Sequence, residues 1–280
     1  MTLFRFPEDR LPVLLFTVFF AADLAVYAFA DSYWFPVVWM LAGIIPKGWI
    51  CSWNHHHQHL SFFRRTWANR FLEIMFGFQT GVTSHAWFLH HVVGHHKNYL
   101  DPTLDESAWQ RPDGTTMGEH EYAFDVAATA YTRAWKVGEK HPKHRQVFLT
   151  MGLLHLGLLL LAFAWHPYNA FFVLLLPSLV SLYLTAWATY FHHANLSTED
   201  HLLASYNILH PGYNRATGNL GYHTAHHSRP GLHWSKLPAL HAEVEAEIPT
   251  RCYRQPGIPF VWSGSEAIVD RADYPRHDAA

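Results

Sequence analysis

The chain has 280 residues, of which 15% are charged and 16% are aromatic, and its formal net charge is −2. In soluble globular domains about a quarter of the residues are charged, so the composition argues against an ordinary soluble domain. The near-neutral balance gives no reason to expect a nucleic acid partner. Cys51 and Cys252 are too few for a disulfide framework or an iron–sulfur cluster, so we expect two free thiols.

Four apolar segments are long enough to cross a bilayer, which takes about 20 mostly apolar residues. They are residues 11–30, 33–53, 147–165 and 170–190. Short links at residues 31–32 and 166–169 join the members of each pair. We therefore predict an all-α membrane protein with four transmembrane helices in two hairpins.

The distribution of basic residues predicts the orientation of these helices. None of the 20 Lys and Arg residues lies in either link, and all except Lys47 lie in the N-terminal, middle or C-terminal segments. By the positive-inside rule, both termini and the middle segment face the cytoplasm. We predict a single domain, residues 1–280, in which residues 54–146 and 191–280 form a cytosolic helical cap.

Residues 71–90 form a further apolar stretch that could be mistaken for a fifth span. They include Glu73 and Gln79, which would be costly in lipid. A span here would also place His59 and His91 on opposite sides of the membrane. We therefore expect buried or interfacial helices with a break near residues 77–81, which leaves every histidine cluster on the cytoplasmic side.

Most of the 24 histidines fall in four clusters, which read HHHQH at 55–59, HHVVGHH at 90–96, FHH at 191–193 and HTAHH at 223–227. Imidazole is the commonest protein ligand for metals of borderline softness. So many histidines at helical spacing, on one side of a membrane, predict a polynuclear metal site with nitrogen ligands.

The spacing within the clusters indicates which side chains share a site. Residues four apart lie on one face of an α-helix, which pairs His55 with His59 and His91 with His95. His96 points about 100° away from His95, so an adjacent pair suits two different ions. The intervening His56 and His57 lie off the shared face, and we expect them to be supporting or surface residues.

Three tracts of the chain resemble the membrane fatty acid desaturase and hydroxylase family, whose mark is three histidine boxes around a cytosolic diiron centre. The first box matches HHHQH with the following SFF at 61–63, and the second matches HVVGHH after Trp87. The third matches HTAHH, preceded by TGNLGY at 217–222. The resemblance implies a metal-binding set of His55, His59, His91, His95, His96, His193, His223, His226 and His227. His90 and His192 are the alternatives to His91 and His193.

The resemblance also implies the chemistry, an O₂-dependent oxidation of an alkyl or fatty acyl chain by a membrane-bound non-haem diiron oxidoreductase. Two iron ions would be the cofactor and O₂ the co-substrate. Fatty acid desaturation is the leading interpretation, and alkyl hydroxylation or oxidative decarboxylation of a free fatty acid to a terminal alkene are the alternatives. The three-residue gap in HVVGHH is similar to that of membrane alkane hydroxylases, whereas many acyl-CoA desaturases have a two-residue gap. The chain lacks the extra helices and the NYxEHYG box of those hydroxylases.

The expected partners are a lipid or fatty acid substrate that reaches the site from the membrane, and a separate electron donor such as ferredoxin with its reductase. The rival interpretation from another class is a histidine-rich metal transporter. Transport requires ligands along the spans, near the bilayer midplane, where the only candidates are Asp23 and His155. An intramembrane carboxylate such as Asp23 is a functional candidate, and a hydrogen bond to a neighbouring helix is the alternative explanation.

Overall fold

The protein is described by a computed structural model that covers residues 2–256. The chain forms two compact units. The first consists of the described residues up to 90 together with 130–184, and the second of 91–129 together with the described residues from 185 onward. Both units are helical, and between residues 2 and 256 there is no β-strand, only isolated bridges. The last part of the predicted domain and cap, residues 257–280, lies outside the described residues.

The principal helices are, in chain order, α1 (Arg10–Phe29), α2 (Trp34–His59), α3 (Thr66–Thr80), α4 (Glu119–Val137), α5 (Pro142–Trp165), α6 (Pro167–His193), α7 (Pro211–Thr217), α8 (His223–Ser228) and α9 (Leu237–Val244). A π-helix spans Phe88–His95, and α6 contains a second one at Ala170–Leu175. Short 3₁₀ helices lie at Pro7–Asp9, Gly138–Lys140, Trp234–Lys236, Glu245–Glu247 and Thr250–Cys252.

Among the described residues, four helices are long and apolar enough to cross a membrane, namely α1, α2, α5 and α6. They overlap the four predicted apolar segments, although α2 continues to His59 and α5 begins at Pro142. Only 11% of the most apolar window of α5 is buried, and Leu153, Leu160 and Leu161 on this helix are 59%, 59% and 68% exposed. Apolar side chains exposed over such a length are expected to face lipid rather than water.

The second link between apolar helices is shorter than predicted. Only His166 separates α5 from α6, whereas the composition indicated a link over residues 166–169. The difference arises at Pro167, which stands in the first turn of α6. Proline is favoured there because its fixed φ suits the helix and its missing N–H would have no partner.

Residues 71–90 do not form a spanning helix. The α3 helix ends at Thr80, and Gly81 caps it with φ of +71°. A Cβ atom at this position would lie 2.4 Å from the carbonyl oxygen of Ser178, so both the left-handed conformation and the close approach to α6 require glycine. The break falls at the end of the interval predicted for it.

Backbone-directed hydrogen bonds hold the membrane-length helices of the first unit together at one end. The Asn169 side-chain amide donates to the carbonyl oxygens of Tyr27 and Ala30 at 3.0 Å each. The Tyr27 hydroxyl donates to the carbonyl oxygen of Ala162 at 2.9 Å. The carbonyl groups of Tyr27 and Ala30, at the C-terminal end of α1, thereby gain a side-chain donor. The Ala162 carbonyl near the end of α5 accepts from the His166 N–H as well as from Tyr27.

The second unit positions α8, the helix that carries the third histidine box. The Asn207 side chain accepts a hydrogen bond from the Thr224 N–H at 3.0 Å and donates to the Thr224 hydroxyl at 2.8 Å. Ala225 of α8 and the preceding Tyr222 pack in a buried apolar cluster with Leu237 and Leu240 of α9. A polar clamp on one side and an apolar core on the other thus determine the orientation of the helix.

Candidate metal centre

The second histidine box lies on a π-helix, and this changes which of its histidines are paired. The His96 N–H donates to the carbonyl oxygen of His91 at 2.9 Å, a bond between residues five apart that defines a π-turn. It brings the two Nε2 atoms to 3.0 Å. The α-helical spacing had paired His91 with His95, whereas the structure pairs it with His96.

His226 joins this pair. Its Nε2 atom lies 3.1 Å from Nε2 of His96, and His91, His96 and His226 each place a ring nitrogen within 4.8 Å of the others. All three side chains are buried. The three residues form the first histidine group of the second unit.

A second group in the same unit contains His95, His193 and His227, again with one ring nitrogen each within 4.8 Å of the others. His223 borders this group, with its Nε2 atom 3.1 Å from that of His193 and 3.2 Å from that of His227. The neighbours His95 and His96 belong to different groups, as expected for an adjacent pair that serves two ions.

In two histidines of the second group, the ring nitrogen Nδ1 lies beside a hydrogen-bond acceptor. Nδ1 of His193 lies 3.0 Å from the carbonyl oxygen of Ala204, and Nδ1 of His95 lies 2.8 Å from Oδ1 of Asp105. Sequence analysis missed both contacts, because Ala204 acts through its backbone and Asp105 lies in a loop without a recognisable motif. The other nitrogen of His95, Nε2, is buried without a hydrogen-bond partner.

These distances fit bound metal ions. Two nitrogens bound to one ion at about 2.1 Å and at a right angle to each other lie about 3.0 Å apart. The Nε2 pairs described above lie 3.0–3.2 Å apart. Burial, and then the neighbouring histidines, lowers the pKa of both His223 and His227 well below the ordinary histidine value. Both rings are therefore neutral, which is the form that binds metal.

The remaining two predicted ligands, His55 and His59, lie at the end of α2 in the first unit. Their ring centroids are 4.8 Å apart, as expected for residues four apart on one helical face. The second unit thus brings together seven of the nine predicted ligands, and the first unit brings together the other two.

The histidines between them are buried, not surface residues. His56 and His57 are 5% and 1% exposed. Nε2 of His57 lies 3.4 Å from Oε1 of Glu73, and its Nδ1 accepts from the Phe62 N–H at 3.3 Å. Burial alone would raise the pKa of Glu73, but the contact with His57, together with Ser84 and Arg70, lowers it to about 2.

The two alternative ligands, His90 and His192, belong to neither group among the described residues. Nε2 of His192 lies 3.1 Å from the hydroxyl of Tyr213, and its Nδ1 lies 3.4 Å from the carbonyl oxygen of Tyr206. Nε2 of His192 therefore faces a tyrosine hydroxyl, whereas Nε2 of His193 faces the Nε2 atom of His223.

Four membrane-length helices and clustered buried histidines define an integral membrane protein with a centre suited to metal ions. The chain matches the fatty acid desaturase family model over residues 32–257. It therefore belongs to the fatty acid desaturase family, which confirms the resemblance of the histidine boxes. The chain matches no curated protein and no solved structure. Family membership indicates an oxidoreductase with a lipid substrate.

Proposed function

We propose that the protein is a diiron enzyme that desaturates a fatty acyl chain with O₂. The observation that carries this proposal is the division of buried histidines into two groups of three in the second unit. Each group offers nitrogen ligands alone, the donor type that suits iron and similar metals. The neighbours His95 and His96 belong to different groups, so the arrangement suits two ions rather than one.

Nine histidines would hold the two ions. Seven are those of the second unit, and His55 and His59 would complete the set. In support of this assignment, these two side chains lie on one face of α2, and His55 is only 3% exposed. The proposed set is His55, His59, His91, His95, His96, His193, His223, His226 and His227.

The protein itself would bind the ions, orient the histidine rings and exclude water. Iron bound to these residues would supply the redox chemistry with O₂ that oxidises a C–H bond. The Ala204 carbonyl orients His193 through Nδ1 and leaves Nε2 for the ion. Burial lowers the pKa of His223 and His227 well below the ordinary histidine value. It would also limit the access of bulk water to the reacting alkyl chain.

The proposed setting is an integral membrane enzyme with two helical hairpins, a cytosolic cap and both termini in the cytoplasm. The apolar faces of α1 and α5 would contact lipid, and the substrate would enter from the membrane. The electrons that O₂ reduction requires would come from a separate donor such as ferredoxin with its reductase. The distribution of basic residues and the family membership support this arrangement.

A metal transporter is a poorer explanation of the same histidines. Transport would require ligands within the spans, where Asp23 is a candidate. Its two carboxylate oxygens contact Lys47 and Trp39 within the first unit. This carboxylate therefore has a structural partner on α2.

The deciding experiment is a product assay. Membranes that contain the protein are incubated with a fatty acid or its thioester, ferredoxin, ferredoxin reductase, NADPH and O₂, and the products are identified by mass spectrometry. We expect a product that has lost two hydrogens, absent when His226→Ala replaces the wild type. A hydroxylated product or a terminal alkene would assign one of the alternative reactions, and accumulation of metal without O₂ consumption would support the transporter.

A further inference from the structure

The loop that follows the second histidine box folds back onto the π-helix. The Glu106 N–H and the Asn98 side-chain amide both donate to the carbonyl oxygen of Gly94, at 3.4 and 2.9 Å. The Asp105 N–H donates to the carbonyl oxygen of Asp101 at 3.0 Å. These bonds return residue 105 to the side of His95, ten positions earlier in the chain.

The Asp105 carboxylate is held in a fixed orientation. Its Oδ1 atom accepts from the Ser107 N–H at 2.8 Å and lies 2.8 Å from Nδ1 of His95. The side chains of His95 and Asp105 are 1% and 5% exposed. A buried carboxylate is costly unless it has hydrogen-bonding or charged partners. The backbone N–H and the imidazole supply the first kind, and a cation bound at Nε2 of His95 would supply the second.

We propose that Asp105 is the positioning residue for His95 and thereby sustains metal binding by the group of His95, His193 and His227. The inference rests on the proposed function. By accepting the Nδ1 proton, the carboxylate selects the tautomer whose Nε2 is free of hydrogen, and that nitrogen is buried without a partner. A carboxylate acceptor also makes the metal-binding nitrogen more basic and fixes the plane of the ring.

Two substitutions separate the roles of charge and geometry. Asp105→Asn retains the size of the side chain and an acceptor for Nδ1 but removes the charge, whereas Asp105→Leu removes both. Loss of such an outer contact typically weakens metal binding by about 10–100-fold. We expect a loss in this range for Asp105→Asn and a greater one for Asp105→Leu, restricted to one of the two ions.

Asp101→Asn is the matched control, because Asp101 lies in the same loop and is exposed. Its carboxylate accepts from the N–H and hydroxyl of Thr103, at 2.9 and 2.6 Å, and so bonds within its own turn. We expect this variant to bind iron like the wild type. A nonspecific effect of changing the loop would therefore appear in the control as well.

The experiment is a titration of the purified metal-free full chain with ferrous iron, read by bound iron per chain and by Mössbauer spectroscopy. We expect the wild type and Asp101→Asn to bind about two irons and both Asp105 variants to lose affinity at one position, with a changed signal for that iron. Unfolding temperatures of the metal-free proteins separate this effect from misfolding. Wild-type affinity and spectra in both Asp105 variants would overturn the inference alone, whereas a wild type that binds no iron would overturn the proposed function.

Discussion

Lys47 Nζ lies 2.7 Å from Asp23 Oδ2, and both side chains are 1% exposed between two membrane-length helices. Trp39 Nε1 donates to the other carboxylate oxygen at 2.8 Å. The intramembrane carboxylate thus serves the packing of α1 against α2, in agreement with the hydrogen-bond alternative inferred from sequence. Its partner Lys47 is the one basic residue that lies within an apolar segment.

We predict that Asp23→Leu destabilises the protein, because it leaves a buried ammonium group without a counter-charge. Breaking a buried ion pair costs about 3–5 kcal/mol. The double variant Asp23→Leu with Lys47→Met removes both charges and should recover most of that loss. Thermal unfolding in detergent measures both effects, and a single variant as stable as the wild type would show that the pair contributes little.

A second prediction concerns Gly221, which precedes the third histidine box. A Cβ atom there would lie 2.0 Å from the carbonyl oxygen of Ile208, so Gly221→Ala must displace the backbone that leads into α8. We expect reduced iron binding and a lower unfolding temperature. Gly231→Ala is the control, since no atom lies within 4 Å of its added methyl group. Equal iron contents in the two variants would contradict the prediction.

The third prediction concerns Glu73 and pH. A pKa lowered from 4.5 to about 2 stabilises the fold above pH 4.5, by about 3 kcal/mol, and this contribution disappears as the pH falls through the interval to 2. Glu73→Gln should therefore be less stable than the wild type at pH 7, and the difference should shrink below pH 4.5. Unfolding temperatures across this range provide the measurement. The exposed Glu139→Gln should follow the wild-type profile, and a Glu73→Gln deficit that is constant with pH would refute the assignment.

The fourth prediction concerns topology. Reporters inserted near Gly114 or fused after Ala280 should indicate the cytoplasm. A reporter inserted between the exposed residues Asp31 and Ser32 should indicate the opposite side, and this link avoids Asn169, whose amide holds the end of α1. An extracytoplasmic signal near Gly114 would reverse the predicted orientation.

The fifth prediction separates His193 from His192. His193→Ala should lose iron and turnover, because His193 belongs to one of the two proposed metal-binding groups. His192→Gln should retain both at a reduced level, since glutamine can still bond to the Tyr213 hydroxyl that lies 3.1 Å from Nε2 of His192. Iron analysis and product assays on the two purified variants provide the comparison. The opposite ranking would make His192 the ligand.

The membrane-length helices could be predicted from sequence because lipid imposes both their length and their apolar character. The end of α3 could also be predicted, because Gly81 adopts a conformation that other residues rarely adopt. Glu73, one of the polar residues that argued against a span at 71–90, has polar partners in the structure. Glu73 contacts His57, Arg70 and Ser84 within the first unit.

The details of the metal centre were less predictable. No simple rule of residue spacing distinguishes a π-turn from an α-turn, so His91 was paired with His95 rather than with His96. Asp105 could not be found because a loop acid far from any box resembles an ordinary surface residue. The hydrogen bonds of its loop to the carbonyl oxygens of Gly94 and Asp101 bring it back to His95.

The π-turn at the second box has a consequence for comparing family members whose boxes differ in length. In an α-helix, the two histidines that end a box with a two-residue gap lie three and four positions after the first, on its own face. In this chain they lie four and five positions after His91, yet the wider turn returns His96 to within 3.0 Å of it. The extra residue is thus absorbed by a local change of helical pitch, as is common for π-bulges at functional sites. Boxes with two-residue and three-residue gaps can therefore present equivalent ligands, and a difference of one residue in this gap does not by itself imply a different reaction.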